Sequence, residues 1–170
     1  MTELRTDDDT GEDERTTLLW FLDEHRRILA RKAEGLTDEQ ARTTIPPSDL
    51  SLLGLIRHMA DVERSWFRRA LTGETDAGPI FYAAGHPDGD DDGDFHAPTD
   101  ATLADAFTAY WQEIEVADRN IAAASLDDTF STARGSGKLR WILVHMIEEY
   151  ARHCGHADLL RQAIDGATGD

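Results

Sequence analysis

The stretch LRWILVHMIEEYARHCGHADLLRQAI, residues 139–164, decides the fold. At about 100° per residue, Ile142, Met146, Glu149, His153, His156, Leu160 and Ile164 fall within an arc of about 80° on one side of a helix. Four of these seven side chains are apolar, so the face they share points into a core. Gly166 follows two residues after Ile164, the kind of residue at which helices stop.

The same three-and-four spacing occurs three more times upstream. Leu18, Leu22, Leu29 and Ala33, flanked by Phe21 and Ile28, predict a helix over about 14–35 that ends at Gly35. Thr37 and Gln40 form a capping-box pattern for one short helical turn before Pro46 and Pro47. Leu52, Leu55, Met59, Val62 and Trp66 mark a second long helix, capped by Ser48 or Ser51 and running to about Leu71. Leu103, Phe107, Tyr110, Ile114, Ala117 and Ile121 mark a third, up to Ser125. Residues 74–100, rich in glycine, proline and aspartate, are expected to form a long loop, and 126–138 a shorter connector. Four amphipathic helices without an alternating strand pattern predict an all-α, up-and-down four-helix bundle. One domain over 14–168 is expected, preceded by an acidic tail over 1–13 that holds too little apolar surface to offset the entropy of ordering it.

Composition narrows the function. A formal net charge of −17 opposes binding to phosphate backbones and anionic lipid, which rests on clustered Lys and Arg. No apolar run is long enough to span a bilayer, the N-terminal stretch lacks the order of a signal peptide, and the single Cys154 cannot form an internal disulfide. A cytoplasmic protein is expected. The aromatic positions on the second and third long helices leave a homodimer open.

The 139–164 face carries an anomaly. Glu149, His153 and His156 lie on a core-facing seam, and burying an unpaired charge costs several kcal/mol, roughly half or more of a small domain's net stability. Two arrangements satisfy them. In one, Glu149 and His153, stacked on adjacent turns, chelate one cation together with His58, which flanks the stripe of the second long helix. Two imidazoles and one carboxylate leave coordination positions open, as in catalytic sites. In the other, the polar side chains satisfy one another, for instance through a Glu149–His153 ion pair with water. His156 and His145 are neighbours of either arrangement. His25 falls on the inner stripe of the first helix as a core histidine or a cavity-lining one.

The segments SLLGLIRHMADVERSWF and LRWILVHMIEEYARHCGHADLLR resemble the DinB-like metal-binding bundle superfamily, and within it the mini-circle-protein-like branch. The superfamily pattern, a histidine on helix two and a pair four residues apart on the last long helix, is matched by His58 and by Glu149 with His153. A glutamate at the first pair position is similar to the mycothiol-dependent maleylpyruvate isomerase type. The resemblance implies a divalent metal on His58, Glu149 and His153, zinc foremost, with nickel, iron or manganese as alternatives. It also implies a low-molecular-weight thiol such as mycothiol as co-substrate, its sulfur transferred to an electrophilic small molecule. No second domain of the isomerase kind is expected after the last helix, so isomerase activity is not implied. A metal or small-ligand binder without catalysis, and an interaction protein with an internally paired polar seam, are the competing readings.

Three other signals are weaker. The run Asp88 to Phe95 follows the first eight positions of a calcium loop, but Thr99 stands where the bidentate glutamate belongs, so a solvated acidic loop is expected. Cys154 should face away from the seam, about 100° round from His153. Trp66, Trp111 and Trp141 are expected to pack at helix interfaces.

Overall fold

A computed structural model describes residues 13–81, 92–133 and 135–169. Residues 1–12 of the acidic tail expected over 1–13, and the middle of the long loop, 82–91, lie outside the described residues; Asp13 itself is described and belongs to the start of the first helix.

Local chemistry sets the helix ends where the sequence placed them. Helix α1, Glu14–Ala33, begins on Asp13, whose carboxylate accepts from the Thr16 amide, and Gly35 turns the chain away at a φ of 76°. The short α2, Asp38–Ala41, carries the full capping box of Thr37 and Gln40. Ser51 caps α3, Leu52–Glu63, through its hydroxyl on the Gly54 amide. This helix continues as a π-helical segment, Arg64–Ala70, which no periodicity argument anticipates. Thr102 caps α4, Leu103–Ala123. The 126–138 connector is more ordered than expected: β1, Thr129–Thr132, and β2, Gly135–Lys138, form an antiparallel hairpin with Phe130 opposite Gly137. Gly137 is needed there, because a Cβ would sit 2.8 Å from the Phe130 ring. Strand β2 runs straight into α5, Leu139–Asp165, which Gly166 closes at a φ of 79°.

The long helices build an all-α, DinB-like bundle in which α1 packs chiefly on α5 and α3 on α4. Their inner faces bury one continuous cluster that includes Leu22, Leu29, Leu55, Met59, Phe67, Tyr110, Ile142, Met146 and Tyr150. The centre of that cluster is not wholly apolar. Arg26 grips the Glu63 carboxylate with two hydrogen bonds of 2.7 Å, Tyr150 donates to Glu63 at 2.8 Å, and Tyr110 donates to the Arg26 carbonyl at 3.0 Å. Burial works against the Arg26 charge, but Glu63 outweighs it and holds the guanidinium well above its usual range. Every polar group in this knot has a partner, which is what makes it tolerable in a core.

The inner face of α5 is rotated from its expected position. Its buried side chains, Ile142, Leu143, Met146, Tyr150, His153, Cys154, Ala157 and Leu160 among them, span about 120° of arc, centred roughly 60° round from the expected seam. Tyr150, with its ring deep between the helices, pulls the face that way. Cys154 therefore does not face solvent; it is buried against α1, its thiol donating to the His25 carbonyl at 3.6 Å. Glu149 sits on the flank of the buried arc instead of within it. Trp111 and Trp141 also depart from the packing role expected of them, being 42% and 50% exposed.

Candidate metal centre

The rotation of α5 gives the polar side chains a graded environment. His153 is buried, Glu149 and His156 are half-buried at the flank, and His145 stands farther round beside Trp141. From α3, His58 reaches the same spot, its ring 4.9 Å from that of His153. One donor atom from each of His58, Glu149 and His153 lies within 4.8 Å of the others. Among the described residues, no other cluster of three or more His, Cys, Asp or Glu side chains forms a candidate metal site.

Separations inside the cluster bear on the two arrangements left open by the sequence. His153 Nε2 and Glu149 Oε2 are 3.6 Å apart, too long for a hydrogen bond. Two donor atoms each about 2.1 Å from one tetrahedral ion sit about 3.4 Å apart, close to what is seen. Charge points the same way. Burial, reinforced by His58, His156 and Arg152, lowers the His153 imidazolium to about 4, so the ring is neutral at neutral pH and forms no ion pair with Glu149. A neutral imidazole with a free lone pair is what a cation requires of it. The donor set of two imidazoles and one carboxylate thus fits a divalent metal of the zinc type.

The surrounding residues hold the three donors. His58 Nδ1 donates to Asp94 Oδ2 at 2.7 Å, and Phe95 stacks on the His58 ring at 4.0 Å with an interplanar angle of 21°. His156 Nδ1 lies 3.4 Å from His153 Nδ1. His145 Nε2 lies 4.0 Å from Glu149 Oε1, and its ring stacks on Trp141 and meets Trp66 edge-on. Arg152 also approaches Glu149, at 3.5 Å. His25 is elsewhere: it donates to the Phe21 carbonyl at 2.7 Å within α1 and takes no part in the cluster.

The acidic loop holds the residues that sequence reasoning missed. Asp88 and Asp90 lie outside the described residues, but Asp94 is only 5% exposed, not solvated as expected. The signal available in the sequence was Phe95, an apolar residue ending an acidic run and therefore a point where the loop returns to the protein.

Comparison with known proteins decides the lineage. Residues 17–166 match the mycothiol-S-transferase family. The chain belongs to the mycothiol-S-transferase family. That family is DinB-like, in line with the resemblance carried by the two helical segments. Among solved structures, this mycothiol-S-transferase family member is similar to a conserved protein from Enterococcus faecalis, with a TM-score of 0.63 at 16% identity, over 92% of this chain and 100% of that one. At that identity the likeness speaks for the bundle alone. No curated protein sequence matches the chain. No helix among the described residues is long and apolar enough to cross a membrane.

Proposed function

We propose that the chain is a divalent-metal-dependent transferase that couples a low-molecular-weight thiol of the mycothiol type to an electrophilic small molecule, with residues 14–168 acting as one domain in the cytoplasm. The observation that carries this reading is the convergence of His58, Glu149 and His153 within 4.8 Å, in a chain of the mycothiol-S-transferase family. Zinc suits the donor set best.

A bound divalent ion would lower the pKa of a thiol at its open position and so supply a thiolate near neutral pH. The protein's residues do the rest. His58 and His153 offer imidazole nitrogens from two different helices, and Glu149 offers a carboxylate from the solvent-facing side. Half-exposed Trp141, stacked on His145, presents an aromatic face on the same side of α5 as Glu149, suited to an apolar electrophile. In the reaction the thiol sulfur forms one new bond to the electrophilic carbon. The thiol proton ends on the adduct or departs with the displaced group. The acidic surface, with a net charge of −17, makes nucleic acid and anionic lipid poor alternative partners.

Metal content and thiol dependence test the proposal together. Protein purified without an affinity tag should hold about one equivalent of zinc or another divalent ion, and His58→Ala and His153→Ala should each lose most of it. The loaded protein should then conjugate monobromobimane with mycothiol faster than with other thiols. Equal, negligible metal in wild type and variants would refute the reading, and metal without turnover for any thiol would reduce the protein to a metal-binding bundle.

A further inference from the structure

The loop segment over residues 92–95 is strapped onto α3 by five separate contacts. The first is a close approach: a Cβ on Gly54 would stand 2.5 Å from the Phe95 carbonyl oxygen, so the loop lies directly on the helix at its glycine. One turn on, the buried Arg57 donates to the Asp94 carbonyl and to the Gly93 carbonyl, each at 3.0 Å, while its guanidinium lies 4.2 Å over the Phe81 ring. The next residue, His58, receives the other two contacts. Asp94 Oδ2 accepts a hydrogen bond from its Nδ1–H, and Phe95 covers the ring face. The second Asp94 oxygen is also engaged, accepting from the Phe95 amide at 3.0 Å, and that amide is shared with the Asp92 carbonyl at 2.9 Å.

These contacts fix different degrees of freedom of one imidazole. The hydrogen bond to Asp94 fixes the tautomer and the rotation of the ring in its own plane, leaving Nε2 as the nitrogen with a lone pair. The Phe95 stack fixes the tilt. Arg57 and Gly54 fix the strap itself. A carboxylate on the far nitrogen of a metal-binding histidine also makes that ligand more basic.

On the reading of His58, Glu149 and His153 as metal ligands, we infer that Asp94 is the positioning residue of His58, holding the Nδ1–H tautomer so that Nε2 faces Glu149 and His153. The acidic loop thereby gains a function distinct from calcium binding: its last aspartate belongs to the metal centre through His58.

The inference has a readout that needs no metal. In metal-free protein, nitrogen-15 correlation spectra should show His58 as the Nδ1–H tautomer in wild type, and as the Nε2–H tautomer preferred by free histidine in Asp94→Ala. Zinc affinity, measured by competition with a chromophoric chelator, should fall about 10–100-fold in Asp94→Ala. Asp94→Asn, which keeps the shape and one acceptor oxygen but not the charge, should keep the tautomer and lose less affinity. A role confined to holding the loop would lower the melting temperature of Asp94→Ala but leave the tautomer unchanged, and that result overturns the inference. Wild-type zinc affinity in Asp94→Ala overturns it as well. If wild type binds no zinc yet shows the Nδ1–H tautomer, the metal reading fails while the positioning of His58 by Asp94 stands.

Discussion

Replacing Glu63 by alanine is expected to be the most damaging single change in the bundle core. Arg26 is 2% exposed and Glu63 fully buried, so the substitution strands a guanidinium that cannot reach bulk water. Its remaining partner is Asp118 at 2.9 Å, a side chain 58% exposed and therefore a weak substitute. Tyr150 loses its acceptor in the same step. Breaking a buried pair from one side costs about 3–5 kcal/mol, and an orphaned buried hydroxyl about 1–3 kcal/mol, though contributions within one network do not add. A loss of about 3–5 kcal/mol is therefore expected, against a total stability of roughly 5–15 kcal/mol. For a chain of this length each kcal/mol is worth about 2–4 °C in Tm. Urea unfolding followed by circular dichroism gives the difference directly. Removing both charges in Arg26→Met with Glu63→Leu should recover most of the loss, since an apolar pair of similar size strands no charge and leaves only the Tyr150 hydroxyl without its Glu63 acceptor. A loss under about 1 kcal/mol in Glu63→Ala would refute the claim that Arg26 depends on this carboxylate, and a double variant no better than Glu63→Ala would refute the claim that the stranded charge is the cause.

Two further outcomes follow from the packing. Gly54→Ala should lower stability by about 1–3 kcal/mol through the clash with the Phe95 backbone, although alanine favours a helix interior by about 1 kcal/mol; thermal unfolding decides the sign, and a gain would mean that the strap does not press on α3. Burial pushes the Cys154 thiol up to about 12, so native protein at pH 8 should not react with a disulfide reagent, whereas protein in guanidinium should release one equivalent. Because burial raises the pKa of Cys154, Tyr110 and Tyr150 alike, their contribution to stability is fully present below about pH 9 and is lost as pH climbs toward the folded values, which a urea series across pH 8–11 would record.

Much of the architecture was legible because it rests on local signals. Helix ends follow from Thr37, Ser51, Gly35 and Gly166, each acting on backbone within a few residues of itself. The spacing of Glu149 and His153 is likewise a property of one helix. What could not be read depends on which side of a helix the rest of the molecule covers. Tyr150 and Cys154 lie in the core because α1 and the Arg26–Glu63 knot meet them there, whereas the seam drawn through Glu149, His153 and His156 sets the face about 60° away. The knot was hidden because arginine and glutamate ordinarily read as surface. The place of Asp94 was hidden because its partner is 36 positions away in sequence and on another element. The π-helical segment and the hairpin left no periodic trace that could have been recognised.

The split of the cluster between α3 and α5 bears on how the protein is made. His58 emerges from the ribosome early, while Glu149 and His153 belong to the final helix, which rests against the first one. On the proposed reading, a growing chain that has not yet made α5 displays one donor and cannot chelate, so an ion is captured only once α5 has been made and has packed on α1. Loading then reports a formed bundle: a copy that lacks α5 or is half-folded stays empty, and the metal itself becomes a selective stabiliser of folded bundles, by an amount set by its free concentration relative to its Kd.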